Sequence, residues 1–390
     1  MRTLQEPSTT IKPQSSAVLP SNRLVSVDVL RGITIAFMIL VNNGARHSYH
    51  ALQHSEWNGW TPTDLVFPTF LFLVGMTIVF SSQSRLNRGA TKTSLLAHNI
   101  RRACILFLLG LVVNGFPYFP LGTLRIYGVL QRIAICFLIV SILYLIDQRP
   151  ASKIVIVVAA LVGYWVLIRW VPVPGYGMPG RDIPLFDQTR NLAAYLDRHI
   201  FPGRLYRKVR DPEGLLSDLP AVGTTLLGML TAMWLRSKNS PSRKAWGMLA
   251  AGIFGILLGQ FWGHWFPINK NLWTSSYVLF AAGFSLVGLA ICYWAVEIRN
   301  WKTGWTYVWL VFGMNAITAY VFSELFASTL SAIHVHSGTT TVSLKWYYFS
   351  HCFAEIPSPH LASLAYSLSI VAICFVPVLV LYRKKIFLKV

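Results

Sequence analysis

The feature that most constrains this chain is a series of ten apolar runs, each long enough to cross a bilayer as a helix. About 20 helical residues span roughly 30 Å of hydrocarbon. The runs lie near 27–46, 62–82, 101–117, 128–146, 153–171, 218–236, 246–263, 273–296, 305–329 and 361–382. With 54% hydrophobic and 12% charged residues, the composition is typical of a protein dissolved in lipid. The expected fold class is all-α, a polytopic integral membrane protein of about ten transmembrane helices.

Lys and Arg residues set the orientation. Ten crossings place both termini on one face, and the segments on that face carry twenty basic residues. The short loops of the opposite face carry four, which are Arg46, Arg125, Lys270 and Lys345. Because cytoplasmic loops hold the excess of positive charge, both termini are predicted to be cytoplasmic.

The net charge of +20 does not point to nucleic acid, because the basic residues flank the apolar runs and form no single patch with aromatics. Residues 1–22 are polar, contain three prolines and predict a disordered cytoplasmic tail. Residues 23–390 are predicted to form one transmembrane domain with a long outer loop at 172–217.

The loop after the first run concentrates polar residues at the outer surface. Asn42 and Asn43 end that run, and an Asn in lipid needs a hydrogen-bond partner, so a bond between helices is one interpretation. The other is a donor to developing oxyanion charge. His54 is either a hydrogen-bonded surface group or a group that transfers protons near neutral pH.

A metal site is not predicted in this loop. His47, His50 and His54 have the spacing of one helical face, but the only carboxylate expected near them is Glu56. Thr61-Pro62-Thr63-Asp64 predicts a capping box that opens the second helix.

Arg132 lies one turn into the fourth run. A charged residue at that depth either snorkels to the interface or faces a polar cavity, and the sequence leaves both open.

Eight segments together resemble the transmembrane heparan-α-glucosaminide N-acetyltransferase family, including its shorter bacterial members. They are SVDVLRG (26–32), VNNG (41–44), the hairpin His54-x-x-Trp57-Asn58-Gly59, DLVFPTFLFLVG (64–75), GVLQR (128–132), DPEGLL (211–216), NKNLW (269–273) and GMNAITAY (313–320). The resemblance runs from about residue 23 to residue 325. It implies an acyltransferase that moves acetyl from cytoplasmic acetyl-CoA to a glucosamine-type amine across the membrane.

The resemblance also implies site residues. His54 aligns with the catalytic histidine and Asn42 with an active-site asparagine. The substrate-binding candidates are polar or aromatic residues in the matching segments: Asn43, Trp57, Asn58, Asp64, Gln131, Arg132, Glu213, Asn269, Lys270, Asn271 and Asn315. For the phosphates of coenzyme A the candidates are Arg85, Arg88, Arg101 and Arg102, although positive-inside anchoring explains each of these arginines as well.

The expected partners are acetyl-CoA as co-substrate, an amino-sugar or glycan acceptor and the lipid bilayer, with a homodimer left open and no nucleic acid or metal. The expected location is the bacterial inner membrane. Two other functions fit the same pattern. They are O-acylation of an envelope polysaccharide and transport of an amino sugar, although transporters place broken helices and charges nearer the midplane.

Overall fold

The computed structural model describes residues 24–45, 47–302, 304–338 and 340–388. The helices are α1 (Val25–Asn42), α2 (Val66–Leu86), α3 (Lys92–Gly115), α4 (Val129–Ile146), α5 (Pro150–Trp170), α6 (Leu192–Ile200), α7 (Asp218–Leu235), α8 (Pro241–Trp262), α9 (Ser275–Tyr293), α10 (Gly304–Met314), α11 (Ala316–Ala332), α12 (Leu344–Cys352) and α13 (Pro359–Arg383). A short antiparallel hairpin, β1 (His334–Ser337) and β2 (Thr340–Ser343), precedes α12. The predicted tail at 1–22 lies outside the described residues.

The predicted fold class is confirmed. Within the described ranges, nine helices are long and apolar enough to cross a membrane, and a bent pair raises the number to as many as ten. The connections between the long helices contain additional elements that hydropathy did not predict, namely α6, the β1–β2 hairpin and α12.

The ninth predicted span, 305–329, is not one straight helix. It is divided into α10 and α11, which meet at Asn315 and are bent by 74°. Gly313 accounts for part of this geometry, because a Cβ there would lie 2.0 Å from the Asp28 carbonyl oxygen of α1. The glycine therefore lets α10 pack against the backbone of α1, and the chain then turns into α11.

Glycines also set the closest packing between spanning helices. In α2 and α7, Gly75 faces the Thr225 carbonyl and Gly228 faces the Phe72 carbonyl, each with no room for a Cβ. Such small residues let helix backbones approach closely in lipid, where association depends on packing. Because α2 is fixed on α7 in this way, the loop that precedes α2 has a rigid base.

Five loops meet at one end of the bundle, which we call the histidine face. Gly59 donates its N–H to the Ile268 carbonyl at 2.8 Å, and His360 bonds the His47 carbonyl at 2.9 Å. At the other end, the N-terminal face, the Ser26 N–H donates to Glu297 at 3.0 Å. This grouping of loops follows the alternation predicted from the sequence. The compartment that each face contacts stays a prediction.

Candidate active site at the histidine face

His54 and Asp64 form the centre of the site. His54 lies in the loop between α1 and α2, and Asp64 lies in the 3-10 turn Pro62–Leu65 that opens α2. The imidazole Nδ1 is 2.8 Å from Asp64 Oδ1, with 50% of the His54 side chain exposed and 1% of the Asp64 side chain. An ionised carboxylate only accepts hydrogen bonds. We therefore assign the proton to Nδ1 and the lone pair to Nε2.

The second oxygen of Asp64 has a structural role. Oδ2 accepts from the backbone N–H groups of Ser55 at 3.0 Å and Thr61 at 3.1 Å. The predicted capping box at Thr61 is therefore confirmed. The expectation that Glu56 is the only carboxylate near His54 was wrong, because the turn at Pro62 brings Asp64 back onto the imidazole.

Lys270 approaches the same pair from the loop between α8 and α9. Its Nζ is 3.0 Å from His54 Nδ1, 3.3 Å from His54 Nε2 and 3.6 Å from Asp64 Oδ1. Burial lowers the pKa of the Lys270 ammonium, although attraction by Asp64 and Glu213 opposes that shift. The site thus combines a base, a buried carboxylate and a partly buried amine.

Three of the predicted substrate-binding residues hold these loops together. Asn269 donates from Nδ2 to Asn58 Oδ1 at 3.1 Å and accepts from the Leu272 N–H at 2.9 Å. The Trp57 indole donates to the Phe186 carbonyl at 3.0 Å. These bonds fix the His54 loop against two neighbouring loops.

Arg132 lies in a buried ion pair beside the site, so it does not snorkel to the interface. Its Nε is 2.8 Å from Asp218 Oδ1, and one Nη donates to the Gly214 carbonyl at 3.1 Å. Its guanidinium carbon is 4.9 Å from the centroid of the Trp273 ring. Arg132 therefore fixes the segment that leads into α7.

Glu213 brings that segment within electrostatic range of Lys270. Arg125 pairs with both Asp211 and Glu213. Burial disfavours the charged guanidinium, but the two carboxylates outweigh this effect and raise the pKa of Arg125. Because Glu213 is also within range of Lys270, the Arg125 cluster and the His54 cluster are adjacent.

Asn42 and Asn43 have different environments. Asn43 is buried and donates to the Ile39 carbonyl of its own helix at 2.8 Å. Asn42 donates to Glu324 Oε1 of α11 at 2.9 Å, which is the interhelical bond that the sequence suggested. Glu324 was missed, although a single carboxylate within an apolar run is itself a signal.

The remaining three candidates lie in different places. Gln131 is buried against Gly110 of α3, and its Nε2 has no partner among the described residues. Asn271 is partly exposed beside Lys270. Asn315 lies at the N-terminal face, where it bonds the Ile386 carbonyl at 3.2 Å and the Leu388 N–H at 3.1 Å. Asn315 is therefore apart from the other candidates.

A cavity of about 230 Å³ begins near the N-terminal face. Arg85 and Arg102 line it together with Arg31, whereas the other two predicted arginines, Arg88 and Arg101, do not. Among the described residues, no acidic side chain lines this cavity.

Two buried donors of the cavity lack partners. Arg102 Nε and Asn99 Nδ2 are both unpaired within the described part of the chain. Unpaired buried donors are costly, so this pair fits an anionic ligand such as a phosphate.

A smaller cavity of about 10 Å³ lies next to the first. The two share Phe70, Ile133 and Ile317, and the smaller one continues to Met38 and Tyr320. The side chains along this path are apolar except for Tyr320. The two cavities therefore lie in succession from the basic cavity toward the histidine face, and we call the apolar side chains along this line the apolar route.

The described residues contain no group of three His, Cys, Asp or Glu side chains arranged for a metal ion. The fold and the site define a multi-pass integral membrane protein with a histidine–aspartate pair at one face and a basic cavity near the other.

A family model described as "Heparan-alpha-glucosaminide N-acetyltransferase, catalytic" matches residues 23–265, and the chain belongs to this family. The resemblance drawn from the motifs is therefore confirmed. Relatives named heparan-alpha-glucosaminide N-acetyltransferase are 30% identical to the chain in both Homo sapiens and Mus musculus. Each match covers 78% of this chain, and 53% of the human or 54% of the mouse protein. The chain thus spans about half the length of these relatives.

Proposed function

We propose that this chain is a transmembrane N-acetyltransferase. It takes acetyl from acetyl-CoA held at the N-terminal face and transfers it to the amine of a glucosamine-type sugar at the histidine face. The observation that carries the proposal is the His54–Asp64 pair in a chain of this family. The two cavities and the names of the relatives support the donor and the acceptor.

His54 acts as the general base. An amine attacks a thioester only as the neutral form, so Nε2 accepts a proton from the acceptor nitrogen while the N–C bond forms. The C–S bond then breaks, and the imidazolium returns the proton to the leaving sulfur. Asp64 stabilises the imidazolium and holds the ring with Nε2 directed away from the carboxylate.

Two donors are available for the charge that develops on the thioester oxygen. Lys270 carries its amine beside the imidazole, and preorganised donors of this kind stabilise an oxyanion strongly. Asn42 has one amide proton bonded to Glu324, which leaves its second N–H for the oxyanion. We assign the main role to Lys270 because it lies next to the base, and an assisting role to Asn42.

The basic cavity fits the nucleotide part of coenzyme A. Arg85 and Arg102 supply positive charge, the charge of Arg31 is paired with Asp28 at 2.7 Å, and the unpaired Arg102 Nε and Asn99 Nδ2 supply donors. Charge-assisted bonds from arginine suit phosphate oxygens. The pantetheine arm would follow the apolar route beyond Phe70, where the side chains must move apart to admit it because the second cavity is only about 10 Å³.

The other predicted substrate-binding residues divide by position. We assign direct contact with the sugar to Asn271 and Glu213, which are partly exposed beside Lys270 and Arg125. Trp57, Asn58 and Asn269 position the loops, because their polar groups are bonded within the protein.

The location and the oligomer are also proposed. Twenty basic residues in the sequence segments predicted to share the side of the termini favour a cytoplasmic position for the N-terminal face. We propose the bacterial inner membrane, as for the shorter members that the motifs resemble. A homodimer stays an open alternative.

The direct test is incubation of the purified full chain with acetyl-CoA and glucosamine, followed by mass spectrometry. An acetylated product that survives mild alkali is an amide and supports the proposal, whereas an alkali-labile ester supports O-acylation. His54→Ala should lower turnover by about 10²–10⁴-fold. His50→Ala is the matched control, because His50 is exposed in the same loop. A folded His54→Ala protein with the parental rate contradicts the proposal.

A further inference from the structure

Glu324 is a carboxylate within α11, a helix that is otherwise apolar along most of its length. An ionisable residue at membrane depth is costly and usually serves a function. The Glu324 carboxylate accepts one described hydrogen bond, from Asn42 Nδ2 at 2.9 Å. Among the described residues, no cation lies within ion-pairing distance of it. The carboxylate thus keeps lone pairs for another donor.

The helical spacing places Glu324 at the end of the apolar route. Tyr320 and Met38 line the small cavity. Glu324 follows Tyr320 by four residues and Asn42 follows Met38 by four, so each lies one turn nearer the histidine face. The Asn42–Glu324 pair therefore stands where the route from the basic cavity reaches that face.

We infer that Glu324 is the subsite for the ammonium group of the acceptor, an inference that rests on the proposed function. A carboxylate accepts charge-assisted bonds from an ammonium, and these are about twice as strong as neutral bonds. A neutral sugar offers only hydroxyl donors at the same position. Glu324 therefore selects an amino sugar over the corresponding hydroxy sugar. Asn42 holds Oε1 and leaves Oε2 for the ligand.

Lys345 is expected to affect acceptor binding in the direction opposite to Glu324. It lies at the start of α12, which packs on α11, and is within electrostatic range of Glu324 without forming an ion pair. In the absence of ligand, Lys345 is the nearest compensating cation that the structure describes. An incoming ammonium replaces it, so Lys345 competes with the acceptor.

Glu324 acts in binding and His54 acts in transfer. The bound ammonium first releases one proton to solvent, and the neutral nitrogen then attacks and gives a second proton to His54. The carboxylate stabilises the protonated form, so it favours binding and not the transfer step. Loss of the charge at Glu324 should therefore raise KM for the acceptor with a smaller effect on kcat. If Glu324 only held α1 against α11, Glu324→Gln would not raise KM more than it lowers kcat, because Gln keeps the size and the acceptor oxygen that Asn42 needs.

The test measures binding of glucosamine and of glucose to the full chain without acetyl-CoA, near neutral pH, where much of the glucosamine is protonated. The parental protein should prefer glucosamine. Glu324→Gln should weaken glucosamine binding at least tenfold and leave glucose binding unchanged. Lys345→Gln should tighten glucosamine binding about threefold. Glu56→Gln, at an exposed carboxylate of the same face, should change neither.

Two results would overturn the subsite: a folded Glu324→Gln protein that binds glucosamine as the parent does, or weaker glucosamine binding in Lys345→Gln. Acetyl transfer is measured separately on the parental protein. Transfer with no dependence of binding on Glu324 would remove the subsite and leave the proposed function intact. Binding that depends on Glu324 without transfer would remove the proposed function instead.

Discussion

Replacing Asp64 by Asn tests the role of the buried carboxylate. The substitution keeps the size of the side chain and leaves an amide oxygen for the backbone N–H groups of Ser55 and Thr61. The amide nitrogen must then point at His54 Nδ1, 2.8 Å from the present Oδ1. Because that nitrogen is a donor, Nδ1 must accept. The proton of the imidazole moves to Nε2, and the base is lost.

The size of the effect follows from this change of tautomer. In a serine protease triad, the equivalent Asp-to-Asn substitution lowers kcat by about 10⁴. Here Lys270 also contacts the imidazole, at 3.0 Å and 3.3 Å from its nitrogens. We therefore expect a loss of about 10³–10⁴-fold in kcat, or about 4–5.5 kcal/mol in the activation free energy. KM for acetyl-CoA should change little, because the basic cavity lies toward the other face.

The assay is steady-state formation of N-acetylglucosamine by purified protein in detergent. Thr61→Val is the matched control, because it removes a hydroxyl that lies 2.6 Å from the Gln53 carbonyl oxygen and 3.2 Å from Asp64 Oδ2, and it leaves the His54–Asp64 contact in place. The control should lose about 1 kcal/mol of stability and keep kcat within a few fold. A folded Asp64→Asn enzyme with a kcat near the parental value would refute the tautomer argument.

Three further predictions follow from charges elsewhere in the chain. Arg102→Gln should weaken acetyl-CoA binding, measured by calorimetry, about tenfold and reduce its salt dependence. Arg101→Gln, at a residue outside the cavity, should do neither. Equal effects of the two substitutions would contradict this donor site. Burial raises the pKa of Asp197 to about 7, so the unfolded state binds fewer protons between pH 4 and 7 and stability falls with rising pH. Asp197→Asn should therefore raise the melting temperature at pH 8 and progressively less toward pH 4; a gain that does not depend on pH would contradict this. Arg132→Met should destabilise the fold by about 3–5 kcal/mol, because Asp218 is left buried and unpaired. Denaturation in detergent measures this loss of stability, and an unchanged unfolding midpoint would contradict the prediction.

The number of spans could be predicted because length and hydropathy decide whether a segment crosses a bilayer. The break at Asn315 could not, since both halves are apolar and the bend depends on how Gly313 meets α1. The start of α3 was also placed late. Its first turns contain Lys92 and Arg101, yet Thr91 caps the helix by accepting from the Ser94 N–H.

The site shows the same division between local and tertiary information. His54 and Lys270 could be singled out by motif, but the pairing of His54 with Asp64 depends on a turn that places residues ten apart in contact. The four arginines predicted to bind coenzyme A cannot be distinguished from the sequence, because each is a basic residue on the same side of the predicted membrane. Only the packing of α2 and α3 directs Arg85 and Arg102 into the cavity and leaves the other two outside it.

The central claim is that acetyl crosses the membrane from one face of this chain to the other. Proteoliposomes with the N-terminal face outward, loaded with glucosamine and supplied externally with acetyl-CoA labelled in the acetyl group, measure this directly. We predict labelled N-acetylglucosamine inside the vesicles and none with His54→Ala protein. Product formed only when glucosamine and acetyl-CoA are on the same side would contradict the account.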